Sequence, residues 1–244
     1  MSASKIHADD WAYAHQLADD RTAEASASAF EKATRFYRAL LEKRLSKDRS
    51  ARVLDLPCGS GGMVYALQKM GFVDVQGFER DARRVATAQA LGLPCVAGDV
   101  FEVLSKQEAG SLGGVVCMDF LEHLEKSEAI GFSELVFNKL RPGGWLLVRT
   151  PCADAPSGAS HIFNDLTHKW AATSGLLDWF LRAVGFSNVS VFGEQPNWHM
   201  SKGWLRVPLF ALGRAFFSAW SLSVGLSTPP ILSPSMWALA RKAG

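Results

Sequence analysis

The feature that most limits what this chain can fold into is a regular alternation that begins at Ala51. Short apolar runs, "ARVLDL" (51–56), "VDVQGF" (73–78), "PCVAG" (94–98), "GVVCM" (114–118) and "WLLVRT" (145–150), have the length and composition of buried strands. Between them, Gly61–Met70, "DARRVATAQALG" (81–92), Val100–Lys106 and Lys126–Leu140 have helical spacing, with Gly92 and "RPGG" as stop signals. Parallel strands need crossover connections of this size, so the pattern predicts an α/β, doubly wound, mainly parallel sheet with helices on both faces. On such a sheet ligands sit beyond the carboxyl ends of the strands, which is where motifs should be sought. A helix at "SGLLDWFLRAVGF" (174–186) and strands at "SNVSVFGEQP" (187–196) and "SPSMWALARK" (233–242) complete the pattern.

The 244 residues suit one domain, and 48% hydrophobic against 20% charged residues is enough to build a core. A net charge of +2 argues against a nucleic-acid partner. The four cysteines, Cys58, Cys95, Cys117 and Cys152, form no C-x-x-C pair, which argues against a zinc site or disulfide framework and fits a reducing compartment. Residues 1–24 are polar and lack the apolar core of a signal peptide, so a cytoplasmic location is expected. With the amphipathic "SAFEKATRFYRALLEKRL" (28–45), residues 1–50 read as an N-terminal helical arm or lid, and 51–244 as the main domain.

The turn "VLDLPCGSGG" (53–62) raises the question of ligand. A phosphate-binding Walker loop needs a lysine after the glycines, and none is there. A dinucleotide turn needs a third glycine where Val64 stands. The turn still permits close approach to backbone at Gly59 and Gly61. At the end of the second strand, Glu79 can accept hydrogen bonds from both hydroxyls of a ribose. After the third strand, Asp99 can accept from an exocyclic amine, and Val100 can pack on a base. Each carboxylate alone would suit a helix cap or a solvated surface. Together at successive strand ends they point to a nucleoside without a phosphate cradle.

In order and spacing, "VLDLPCGSG", "GFERD", "GDVFE", "CMDFLEHL" and "LRPGGWLLVRTP" resemble the class I S-adenosylmethionine-dependent methyltransferases over about residues 50–195. The resemblance implies a Rossmann-like seven-stranded sheet of order 3-2-1-4-5-7-6 with the last strand antiparallel, and S-adenosylmethionine as cofactor. It implies that Asp55, Gly59, Gly61 and Met118 flank the methionine part, that Glu79 holds the ribose, and that Asp99 and Val100 meet the adenine. Two positions depart from the family pattern: Pro57 replaces a glycine, and Gly113 stands where an aspartate often opens strand four.

An alcohol acceptor must lose a proton as it attacks, which histidine suits. His123 in "DFLEHL" and His168 in "NDLTHK" both follow strand ends and are the candidate catalytic residues; His161 is less anchored. The bland alternatives are that His123 shapes its loop and that His168 caps the next helix. The segment from "NDLTHK" to "FGEQP" resembles methyltransferases of polysaccharide and glycan biosynthesis, which implies a hydroxyl on a glycan or glycolipid intermediate. Asp119, Glu122 and His123 also resemble the cluster of ubiquinone-pathway O-methyltransferases, where a divalent ion assists. That implies a small quinone-type or natural-product acceptor instead. The adjacency of Glu122 and His123 suggests that they point apart, so no metal is assigned. A non-catalytic cofactor-binding partner protein is the rival from another class.

Ala215–Ala240 carries no charge, but prolines at 229, 230 and 234 break it well short of the roughly 20 residues a spanning helix needs. The insertion at about 203–226 is rich in aromatic residues, with Arg206 and Arg214 among them. It reads as helical, in two pieces because of Pro208. Either it packs on the core or on a second copy, or it covers substrate or touches a membrane surface weakly, at the periphery of the inner face. The acceptor is expected to be a small molecule or saccharide; the oligomeric state stays open.

Overall fold

The computed structural model describes residues 23–196 and 201–244. Of the arm or lid expected over residues 1–50, residues 1–22 lie outside the described residues, and the remainder contains a helix, Ala23–Leu41. The strands are β1 (Val53–Asp55), β2 (Val75–Glu79), β3 (Cys95–Ala97), β4 (Leu112–Met118), β5 (Leu140–Pro151), β6 (Asn188–Gly193) and β7 (Ser235–Arg241). They form one sheet of order β3-β2-β1-β4-β5-β7-β6. Pairing is parallel from β3 through β5, and β7 runs antiparallel to both β5 and β6. This is the topology expected from the sequence. The order reverses at β1, which lies between β2 and β4, and so opens a crevice at its carboxyl end.

The helices are α1 (Ala23–Leu41), α2 (Gly62–Lys69), α3 (Ala82–Ala90), α4 (Val100–Ser105), α5 (Lys126–Lys139), α6 (Gly158–Ile162), α7 (Ser174–Val184) and α8 (Gly203–Ser223). Side chains alternate across a strand, and the central strands here are apolar on both sides. Val115, Cys117, Leu146 and Val148 face one layer with Phe132 of α5 and Leu177 and Leu181 of α7. Val116, Trp145, Leu147 and Trp237 face the other with Leu41 of α1 and Val64 and Leu67 of α2. Gly113 has a packing reason: a Cβ there would lie 2.4 Å from the Cβ of Ala51.

One expectation about local structure is corrected. The insertion is one helix, not two. Pro208 lies only one turn inside α8, where it removes a single backbone bond to Trp204, and the helix continues on both sides. The long connection after β5 is partly ordered. It contains α6, and Cys152 bridges Ala172 to close it back on the sheet.

Candidate active site

The turn after β1 is anchored on both neighbours. The Leu56 amide donates to the Val116 carbonyl and the Cys58 amide to that of Phe78, each at 2.9 Å. Gly59 and Gly61 both have positive φ, 52° and 88°, which favours glycine. Only Gly59 is open: a Cβ at Gly61 would meet Leu93 at 2.7 Å, so that glycine serves the packing of the turn. Gly59 donates its amide to Glu79 Oε2 at 3.0 Å, and the Asp81 amide donates to Oε1 at 2.9 Å. Glu79 is thus a buried carboxylate, oriented by two backbone donors and with acceptor capacity left over. Asp55 is fully buried at the end of β1, and its Oδ1 has no protein partner. Burial, with Cys95 and Glu79 nearby, holds its carboxyl well above the usual carboxylate range.

Asp99 does cap α4, accepting the Phe101 and Glu102 amides at 2.9 and 3.2 Å. Both bonds use Oδ1, which leaves Oδ2 for an amine. Val100 is buried beside it, and half-buried Met118 ends β4. These residues fit a nucleoside: an unpartnered buried acid, a pre-oriented ribose acceptor, and a second acid with one oxygen spare.

One residue past Met118 begins a cleft of about 310 Å³ lined by Asp119, Glu122, His123, Arg149, His161 and His168, among others. The structure brings the two candidate histidines together, with ring centroids 4.7 Å apart. Their hydrogen bonds fix their tautomers. The Thr167 hydroxyl donates to Asp165 Oδ1 at 2.6 Å, so at 2.7 Å it can only accept from His123 Nδ1–H. His168 Nδ1 lies 2.8 Å from the Ile162 carbonyl and must donate to it. The neutral rings therefore both carry a bare Nε2. Burial and the neighbouring His168 lower the His123 pKa, which keeps the ring neutral and able to accept a proton.

Glu122 is buried in the same cluster. Thr150 donates to its Oε2 at 3.0 Å, while its Oε1 has no partner. Glu122 and His123 do not point apart as expected: ligand atoms of Glu122, His123 and His168 all lie within 4.8 Å of one another. The short 3-10 helix Leu121–His123 turns the chain enough to aim both side chains inward. Burial, reinforced by Asp119, pushes the Glu122 carboxyl up to about 8. A raised folded pKa means that stability is full below the unfolded value and is lost as pH rises toward 8. Glu122→Gln, unfolded in chelator, is therefore expected to exceed the parent protein in stability above pH 8 by on the order of a few kcal/mol. The gap should close below pH 4.5. Urea melts across that range check it.

Sequence reasoning missed the wall of the cleft. Arg149, near the end of β5, pairs with Asp119 and, at 3.1 Å, with Glu194; it also donates to Ser235 at 3.2 Å. Trp237 donates to the same Glu194 oxygen at 3.0 Å. The available signal was a charged residue inside the apolar run "WLLVRT".

A family model described as a methyltransferase domain matches residues 29–191. The ubiquinone biosynthesis O-methyltransferase of Paracidovorax citrulli is 27% identical over 135 residues, 49% of this chain and 56% of that protein. The one from Chromobacterium violaceum is 31% identical over 139 residues, again 49% and 56%. The chain thus spans about half the length of the curated relatives it matches. A SAM-dependent methyltransferase from Archaeoglobus fulgidus has the same fold, with a TM-score of 0.62 at 20% identity over 88% of this chain and 99% of that one.

Proposed function

The chain belongs to the methyltransferase-domain family, and from that premise we propose that it moves a methyl group from S-adenosylmethionine to a hydroxyl oxygen of a small quinone-type or phenolic acceptor. One observation carries the reading: a nucleoside-shaped set of strand-end acids adjoins a cleft holding two histidines with bare Nε2 atoms. The curated relatives favour a small-molecule acceptor over the glycan or glycolipid implied by the "NDLTHK" resemblance.

When bound, the cofactor supplies an electrophilic methyl group on a sulfonium. Glu79, pre-oriented by the Gly59 and Asp81 amides, would accept the ribose hydroxyls, and Asp99 Oδ2 the adenine amine. Gly59, Asp55 and Met118 would border the methionine part. In the cleft, His123 or His168 takes the acceptor proton at Nε2 as the oxygen attacks. The ion-paired Arg149 holds the wall rigid, so the acceptor is positioned before reaction.

A second reading rests on the unpartnered Glu122 Oε1. Glu122, His123 and His168 would hold a divalent ion, which would acidify an acceptor hydroxyl in place of a histidine base. Each histidine already donates its other nitrogen to an oxygen acceptor, as metal-bound histidines do. Steady-state kinetics with catechols and with sugar hydroxyls, before and after removal of metal by chelator, test both points. Catechols are expected to be methylated with the higher kcat/KM, and a preference for sugars would return the acceptor to the glycan class. Full activity after chelation supports the histidine base; loss restored by added Mg²⁺, Mn²⁺ or Zn²⁺ supports the ion.

A further inference from the structure

Helix α8 is poorly covered by the rest of the protein. Gly203 and Ser221 are its buried residues, and both lie on one side. On the other side Trp204 is 72% exposed, Phe216 62% and Trp220 60%, with Leu205, Leu209 and Leu212 also exposed. At 100° per residue these side chains and the alanines between them span about half of the helix circumference. A seam between two helices is narrower than that. The charge along this part of the chain is one-signed. After Glu194 the sequence contains no acidic residue, while Lys202, Arg206 and Arg214 lie at or within α8. The amino end of the helix adds its own partial positive charge beside Lys202 and Arg206. Among the described residues no helix is long and apolar enough to cross a membrane.

We infer that α8 docks flat on an anionic lipid surface. Its aromatic and leucine face enters the headgroup boundary, and Lys202 and Arg206 meet lipid phosphates. The wide apolar arc and the acid-free flanks match a bilayer better than a second copy of this chain. The placement ties the surface to the cleft. The segment bearing α8 leaves the sheet at Glu194 and returns at Ser235, and both residues bind Arg149 on the cleft wall. Docking therefore brings the cleft to the lipid surface, and the acceptor class becomes a hydroxyl-bearing head group on a lipid-embedded molecule. The docking rests on α8 alone; only the acceptor class rests on the proposed methyl transfer.

The test is co-sedimentation of the full chain with phosphatidylcholine vesicles, with and without phosphatidylglycerol, together with tryptophan emission. Binding to the anionic vesicles, weakened by salt and with a blue-shifted emission, is expected. The exposed substitutions Leu209→Glu and Phe216→Glu should together reduce partitioning roughly tenfold or more while cofactor affinity is unchanged. Two results would overturn docking: no binding to either vesicle, or substitutions that leave partitioning unchanged but convert a dimer to a monomer in sedimentation velocity. Either would leave methyl transfer to a water-soluble acceptor intact, so the two readings fail separately.

Discussion

Glu79→Ala should raise the dissociation constant for S-adenosylmethionine by about a hundredfold or more. Hydrogen bonds to a charged group contribute about 1.5–3 kcal/mol each, and the ribose offers two hydroxyls. The substitution also releases the Gly59 and Asp81 amides, which now converge on this one carboxylate from both sides. The turn that borders the methionine part would lose its fixed position. Glu79→Gln separates the two effects. The amide side chain keeps one acceptor oxygen but must turn an N–H₂ toward either the Gly59 or the Asp81 amide, where an acceptor is required. An affinity between those of the parent and the alanine variant is expected by calorimetry. Asp99→Asn should be milder, because Asp99 Oδ1 keeps its cap and only the second oxygen changes character.

His123→Ala should lower kcat by about a hundred- to ten-thousandfold, the usual range for a positioned base, with cofactor affinity little changed. His123 is favoured over His168 for the larger effect because its tautomer is held by a two-step chain, from Asp165 through Thr167 to Nδ1. Thr167→Val breaks that chain without touching the ring. It should reduce kcat by about 10- to 100-fold with a smaller change in KM, as for other groups that orient a histidine. A pH profile gives the readout that a merely structural role would not move. His123 has a pKa below the ordinary value, so the acidic limb of kcat should fall below pH 6.5 in the parent protein and shift further down in Thr167→Val, because the lost acceptor on Nδ1–H favoured the protonated ring. Unchanged rates in both variants would remove His123 from the chemistry.

Much of the fold was legible because its signals are local. Runs such as "WLLVRT" and stops such as "RPGG" mark elements by composition alone, and the alternation restricts the topology to crossovers. Glu79 and Asp99 were legible for the same reason: a strand end is a sequence position. The meeting of Glu122, His123 and His168 was not. It depends on the 3-10 turn at Leu121 and on the Thr167 and Ile162 contacts that draw the post-β5 connection over the sheet. Gly61 was read as room for a ligand, but its neighbour is Leu93 from a different element, which no local pattern reveals. Pro208 misled in the opposite direction. The rule that proline breaks helices is strongest in the interior, and this proline lies only a turn from the start of α8.

The most direct test of the central claim follows the methyl group itself. The full chain is incubated with S-adenosylmethionine labelled in the methyl carbon and with a catechol, and the products are resolved by mass spectrometry and carbon NMR. The label is predicted on a phenolic oxygen, with one S-adenosylhomocysteine formed per labelled product and far less of both with Glu79→Ala at a cofactor concentration near the parent protein's dissociation constant. A cofactor that binds yet releases no methyl to any hydroxyl acceptor, or a label found on nitrogen or carbon, would contradict the account.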